Sequence, residues 1–512
     1  MHNKTWMIWR HSISFLEAFK SLRYDDVPLG IVMLRDFQKY VLHHSGAFGG
    51  AKRSGRIRNI QAACKPYLVP SKPNLRKSGY TVVRAELFGM TKGVTGEKIL
   101  YVAHYSGEYR TMLKRKECRP LVYLHGLPPA KLPPAMAQKT MSQLRAALSS
   151  APAVFRRPAF RSWLTARVKK AMLHIRRVHT LFNRYPIRRT IYGSTINHHG
   201  ALMTSFAQSR NVHTVMVQHG LMAPIAHFPV NADLNFVWGK SHANFLQSYG
   251  APAGKIVVSG PCFYRNLPTG RSASSVMANA PIKLLVALQP LGLSHNRGII
   301  RSIEQAVKPF GGKISVTYKA HPDQGGCGSY RKWLRCKKSK ILRHGIVPLN
   351  KLIEQADAVI TPYSSVSYEA LINGKPVIYY GTPKFIYYIR NTPVSFRSAA
   401  GLKKILAKAV ANRGYFPALH ARLGVIDKVK PSMDGYRFIW TRLRRLAVTT
   451  TANEMYDFEP ELKREPAVET IDYHPGLQSG PETESELRLD AAPDYETQPG
   501  YPNANSTPET PA

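Results

Sequence analysis

Two short segments in the second half of the 512-residue chain carry the groups that a phosphate-bearing ligand needs. Tyr318-Lys319-Ala320-His321-Pro322 offers an imidazole beside a lysine. Thr361-Pro362-Tyr363-Ser364-Ser365-Val366-Ser367-Tyr368-Glu369 offers paired hydroxyls and then a carboxylate. Each follows a β-rich apolar run, Lys313 to Tyr318 and Ala358 to Thr361. In an open α/β sheet the side chains just beyond the strands' carboxyl ends line the ligand crevice. The second segment also opens a helix, whose unpaired N–H groups and positive dipole end can hold a phosphate. Glu369 falls about one turn further in, where a carboxylate can accept from ribose hydroxyls. Together they read as a clamp for a nucleoside monophosphate or diphosphate. Two more apolar runs end in the same manner, Val215–Val217 in Gln218-His219-Gly220-Leu221 and Val286–Leu288 in Gln289-Pro290.

Other chemistries are excluded by what the chain lacks. It has no GxxxxGK[ST] phosphate loop, no GxGxxG fingerprint and no HExxH pair. It has no GxSxG elbow and no DxD pair. Five scattered cysteines (Cys64, Cys118, Cys262, Cys327 and Cys336) form no CxxC, which argues for a reducing compartment and against a disulfide framework or a zinc site. No metal and no bound cofactor are expected. No run of about 18 apolar residues and no signal-peptide core are present, so the chain is expected to be cytoplasmic.

The elements that must position these residues alternate in a βα rhythm. Thr81–Arg84, Ile99–Ala103, Leu121–Leu124, Thr190–Gly193, His213–Val217, Leu234–Trp238 and Ile256–Val258 read as strands. Residues 158–184 carry the helical pattern Phe160, Trp163, Leu164, Val168, Met172, Ile175, Val178 and Phe182, with arginine and lysine on the remaining face. After a Ser/Ala/Gly/Pro-rich stretch the rhythm restarts with strands at Lys283–Leu288, Lys313–Tyr318, Ala358–Thr361 and Pro376–Tyr380. Helices are expected at Arg297–Val307, Leu349–Ala356, Ser367–Ile372 and Tyr436–Leu446. Strands separated by helices imply two α/β domains with parallel, doubly wound sheets. The expected organisation is a basic N-terminal region at 1–80, a first Rossmann-like domain at 81–267 and a linker at 268–281. A second Rossmann-like domain at 282–450 and a disordered acidic tail at 451–512 complete it.

Charge is distributed unevenly. The tail holds 3 basic and 14 acidic residues, whereas residues 1–450 hold 70 basic and 16 acidic ones. A body so positive favours nucleic acid, an anionic membrane surface or phosphorylated substrates. No helix-turn-helix, zinc-finger or RNP-type motif accompanies it, so no specific nucleic acid is expected.

The set of strand-end segments between about Thr190 and Tyr380 resembles GT-B glycosyltransferases that build bacterial surface polymers from cytidine-nucleotide donors. The His-Gly, His-Pro and Tyr-Ser-Ser segments are similar to those of teichoic-acid glycerophosphotransferases. The Gln motif, Lys-x-His-Pro and the Ser/Glu helix are similar to those of capsular Kdo transferases, and the His-Pro and Ser motifs to those of polysialyltransferases. The resemblance implies an inverting, metal-independent transfer from a CMP-sugar or CDP-polyol. The acceptor it implies is a lipid-linked or polymeric glycan at the inner face of the plasma membrane. His321, with Lys319 and Pro322, would meet the donor phosphate, and Ser364 and Ser365 would hold it. Glu369 would bind ribose and Gln289 would line the donor-sugar pocket. His219 would be the general base, with Gln218, Gly220 and His227 on the acceptor side. His125, His198, His199, His227 and Asp233 compete for the base. A GT-B domain that binds without catalysis and a basic nucleic-acid-binding protein are the alternative readings.

Overall fold

The computed structural model describes residues 2–48, 59–75, 78–115, 118–261, 280–321, 328–343, 346–427 and 434–446. The acidic tail, Pro322 and most of the 268–281 stretch lie outside them. Runs such as Ile99–Ala103 are buried at every position, the pattern of a parallel strand covered by helices on both faces. Seven such strands make one sheet: β1 (Tyr80–Arg84), β2 (Ile99–Ala103), β3 (Leu121–Tyr123), β4 (Ile187–Tyr192), β5 (His213–Val217), β6 (Leu234–Val237) and β7 (Ile256–Val258). Their order is β3-β2-β1-β4-β5-β6-β7, and every pairing is parallel. Six strands make the other: β8 (Ile282–Ala287), β9 (Ile314–Lys319), β10 (Ser339–Leu342), β11 (Ala358–Thr361), β12 (Val377–Tyr380) and β13 (Val394–Phe396). They run β10-β9-β8-β11-β12-β13, again all parallel.

Each sheet begins at its centre and winds outward in both directions. The direction of winding reverses between β1 and β4 and between β8 and β11, and a crevice opens at the carboxyl ends there. Two doubly wound sheets of this kind are the GT-B architecture that the motifs imply. β10 and β13 have no counterpart in the sequence reading. The first lies in a lysine-rich run and the second is three residues long, so pairing with β9 and β12 supplies what periodicity does not.

In the basic N-terminal region, apolar residues are spaced weakly for helix around Ile8–Leu22 and Ile31–Leu42, and helices form there. They are α1 (His2–Ala18) and α2 (Leu29–His43), both sunk into the first core. Phe15 stacks on Phe37 at 4.2 Å, and Phe155 and Phe160 meet that pair edge-on. α3 (Pro158–Arg184) spans the expected range and buries Phe160, Leu164, Val168, Ile175 and Val178, leaving Arg161 and Lys169 exposed. α4 (His198–Ser209) follows β4 and α5 (Lys240–Gln247) follows β6; α6 (Leu293–Val307) and α7 (Ser365–Ile372) follow β8 and β11. Among the described residues no helix is long and apolar enough to cross a membrane.

The last helix, α8 (Gly435–Leu446), leaves the second sheet and packs on the first, although the sequence groups it with residues 282–450. Ile439 and Leu443 join Val83 and Ile191 in one core, and Trp440 Nε1 donates to Met90 O at 2.7 Å. An amphipathic pattern announces a buried face without naming the surface that covers it. The carboxyl ends of the two sheets meet through α5 and α7. Trp238, just past β6, stacks on Tyr368 of α7 at 5.6 Å. Asp427 accepts from the Ser241 backbone N–H at 2.8 Å and from Tyr368 Oη at 3.1 Å. A Cβ on Gly239 would lie 2.3 Å from that carboxylate, so the approach requires glycine.

Candidate active site

On the first sheet, β5 delivers His219 to the crevice, exposed, with Nδ1 2.9 Å from the Gly193 carbonyl oxygen. A carbonyl only accepts, so the neutral ring carries its proton on Nδ1 and leaves Nε2 with a lone pair. A Cβ on Gly193 would stand 2.8 Å from that Nδ1 and 2.7 Å from Glu86 Oε1. The glycine therefore allows an imidazole and a carboxylate to flank one point at the reversal between β1 and β4. Arg84, buried at the end of β1, reaches Glu86 at 3.6 Å and Glu108 at 3.3 Å. Glu108 in turn accepts from the His104 backbone N–H at 2.9 Å. Arg84, Glu86 and Gly193 were not singled out from the sequence. The signal was present, since Arg84-Ala85-Glu86 directly ends a strand.

The loop that bears His219 is fastened to the second domain. The Met222 backbone N–H donates to Tyr387 Oη at 2.8 Å, and Leu221 packs against the second core. Gln218 does not face an acceptor. It is 1 % exposed, its Nε2 donates to Gly220 O, and its Oε1 accepts from the Trp238 backbone N–H. It shapes the turn, and Gly220 at that turn remains half-buried. His227 is half-buried and accepts from the Ala223 backbone N–H at 3.1 Å. Burial first, and then the charge of His219, push it down to about 3, so it stands neutral. Asp233, an alternative base, is spent in the interior on Thr214 N–H and Oγ1–H at 2.8 and 2.7 Å. His125, His198 and His199 gather elsewhere, at the ends of β3 and β4.

On the second sheet, β8, β9 and β11 are neighbours, so Gln289, His321 and Ser364 emerge along one edge. Lys319 is buried and its Nζ donates to Arg343 O at 2.8 Å. Gln289 is buried as well: its side-chain Nε2 donates to Leu288 O, and its backbone carbonyl accepts from Asn296 Nδ2 at 2.8 Å. His321 is half-buried, and its neighbour Pro322 lies outside the described residues. Ser364 is the N-cap of α7, accepting from the Val366 N–H at 3.2 Å, and its hydroxyl proton remains available to a ligand. Ser365 and Glu369 are half-buried on the same helix. Ser367 turns inward to Tyr388 Oη at 2.6 Å. The edge thus assembles an imidazole, an ammonium, two hydroxyls and the amino ends of α6 and α7.

Residues 297–389 match the family model described as capsule polysaccharide biosynthesis protein. That stretch contains His321, Ser364, Ser365 and Glu369, and with the two-sheet architecture it bears out the resemblance to surface-polysaccharide glycosyltransferases. No curated protein matches the chain. Among solved structures, it is similar to UDP-GlcNAc 2-epimerase from Neisseria meningitidis bound to UDP-GlcNAc. The identity is 12 %, with a TM-score of 0.43, over 71 % of this chain and 99 % of that one. It is similar to Anabaena HepE in complex with UDP and glucose at 13 % identity and a TM-score of 0.44, over 73 % and 100 % of the two chains. The glycotransferase of kitacinnamycin gives 12 % and 0.40 over 72 % and 95 %.

Proposed function

We propose that the protein transfers a sugar or polyol phosphate from a cytidine-activated donor to a growing surface polysaccharide, with inversion and without a metal on the donor phosphate. The observation that carries this reading is His219. It is a strand-end imidazole held by the Gly193 carbonyl, on a loop pinned through Tyr387 to the domain that presents Ser364. His219 Nε2 takes the proton of the acceptor hydroxyl. The acceptor oxygen then bonds to the transferred carbon or phosphorus as the bond to the cytidine nucleotide breaks. Glu86, beside the ring, stabilises the imidazolium that forms. Charge appearing on the departing phosphate is met by His321, the Ser364 and Ser365 hydroxyls and the first N–H groups of α7. Lys319 adds positive potential at the same edge. Glu369 binds ribose, Gln289 shapes the donor pocket from within, and His227 contacts the acceptor.

The exposed basic face of α3 supports docking on an anionic membrane, where a lipid-linked acceptor would be presented. Thermal unfolding with CMP, CDP, UDP, GDP and ADP tests the donor class, for the wild type and His321→Ala. A midpoint raised by CMP or CDP in the wild type, and not in the variant, is the expected result. A rise with UDP or GDP alone would discard the cytidine donor and keep the site. No rise with any nucleotide would favour a non-catalytic or nucleic-acid-binding role.

A further inference from the structure

Away from the donor edge, five histidines converge on the first domain. His104 directly follows β2, His125 follows β3, His174 projects from α3, and His198 and His199 open α4. One ligand nitrogen from each of His125, His174 and His199 lies within 4.8 Å of the others. The His104 ring stacks on His199 at 4.4 Å, and His125 stacks on His174 at 4.7 Å. His104, His174 and His199 are 0 %, 3 % and 5 % exposed.

Such a cluster is a costly way to fill a core. Each buried ring brings a donor and an acceptor that an aliphatic side chain would not need to satisfy. His104 Nε2 meets Tyr192 Oη at 3.0 Å, while its Nδ1 is buried without a hydrogen-bond partner. An imidazole ligates a metal through the lone pair of its neutral form.

The cluster is also ordered from outside. His198 Nδ1 lies 3.6 Å from Asp36 Oδ2, and His198 Nε2 lies 2.9 Å from His174 Nδ1. Burial raises the Asp36 carboxyl, but His198, Arg167 and Lys39 outweigh it and keep the group ionised. At 3.6 Å the carboxylate faces His198 Nδ1 as an ion-pair contact rather than a hydrogen bond; it favours the proton on that nitrogen, which leaves Nε2 to accept from His174 Nδ1–H. His174 Nε2 then keeps its lone pair. A carboxylate relay through a ring N–H is the arrangement that orients metal-bound imidazoles and raises their basicity.

We propose that His125, His174 and His199 bind one transition-metal ion of the zinc class, positioned through His198 and Asp36. Three neutral nitrogens suit zinc, cobalt, nickel or copper, and they disfavour magnesium and calcium. A tetrahedral ion needs its nitrogens about 3.3 Å apart for bonds of about 2.0–2.1 Å, so the rings close inward on binding. The fourth position is left to water or an acceptor group. The ion clamps α3 and α4 to the β2–β3 edge and stands on the opposite sheet from the donor phosphate. The proposal does not depend on the identity of the donor. Sequence spacing conceals this site, because its ligands come from separate elements between residues 125 and 199.

The test uses the untagged full chain, stripped with a chelator and titrated with Zn²⁺ by calorimetry and with Co²⁺ by visible absorption. One ion per chain is expected, with a higher thermal midpoint in Zn²⁺ and no change in Mg²⁺. His125→Asn, at a half-buried position that tolerates the exchange, should weaken binding at least about 100-fold. His198→Asn should weaken it about 10- to 100-fold, and exposed His44→Asn should leave it unchanged. Wild-type affinity in His125→Asn would mean adventitious binding elsewhere and would overturn the proposal, as would a stripped wild type that takes up no ion.

Discussion

The carboxyl edges of the two sheets share a topology and carry different groups, which under the proposed function serve opposite tasks. The first edge holds ionisable side chains in pairs: Arg84 between Glu86 and Glu108, and His219 beside Glu86 and fixed by Gly193. The second edge relies on Ser364, Ser365, His321, Lys319 and the amino ends of α6 and α7. A proton acceptor has to be aimed and protected from neutralisation, which paired charges achieve. An anion has to be received without a counter-charge that competes for it, which hydroxyls and backbone N–H groups achieve.

This division can be broken by substitution. His219→Gln should lower CMP release with acceptor present by about 10²- to 10⁴-fold, the usual worth of a positioned base, while nucleotide-induced thermal stabilisation persists. Loss of that stabilisation would show that the two edges do not divide the work. Gly193→Ala should act in the same direction through a Cβ that displaces both Glu86 and His219, at about 10²-fold. Ser364→Ala should do the reverse, weakening nucleotide stabilisation first.

The junction between the edges should be the next most sensitive place. Asp427→Ala removes the acceptor for Ser241, Tyr368 and His242 together, and about 3 kcal/mol of stability should go with it. A change below about 1 kcal/mol in urea unfolding would show that the domains are held by packing alone.

Acid should then act on buried rings of the first domain, one in β5 and one in α5 at the junction. Burial depresses His213, aided by Arg189. Burial also depresses His242, where Asp427 only partly offsets it. Both fall below the ordinary 6.5, so the unfolded chain binds the extra protons. Stability is complete above about pH 6.5 and declines as the pH falls toward the depressed folded values. The slope is about 1.4 kcal/mol per pH unit for each proton. His213→Gln should remove one proton from that slope, and an unchanged slope would count against the assignment. The smallest effect is expected at the exposed face of α3. Arg161→Ala and Lys169→Ala should each cost about 1 kcal/mol of binding to vesicles containing anionic lipid, read by sedimentation, with equal binding of all variants as the contrary result.

The chain's linear pattern was enough to establish two parallel α/β units, the range of α3, and the strand-end positions of His219, His321 and Ser364. Those readings rest on local rules, because an apolar run ends where its polar neighbours begin. Whether a strand-end side chain meets the crevice or the core was decided in three dimensions. Gln218 turned inward to Trp238, while Glu86, unremarked in the sequence, came to lie beside His219. The apolar spacing of α1 and α2 marked them only weakly as helices, and their burial was decided when Phe155 and Phe160 supplied a core. α8 displayed an apolar face but not the sheet that would cover it. The five histidines from His104 to His199 became a cluster only because the ends of β2 and β3, the body of α3 and the start of α4 come together, a proximity that no spacing along the chain encodes.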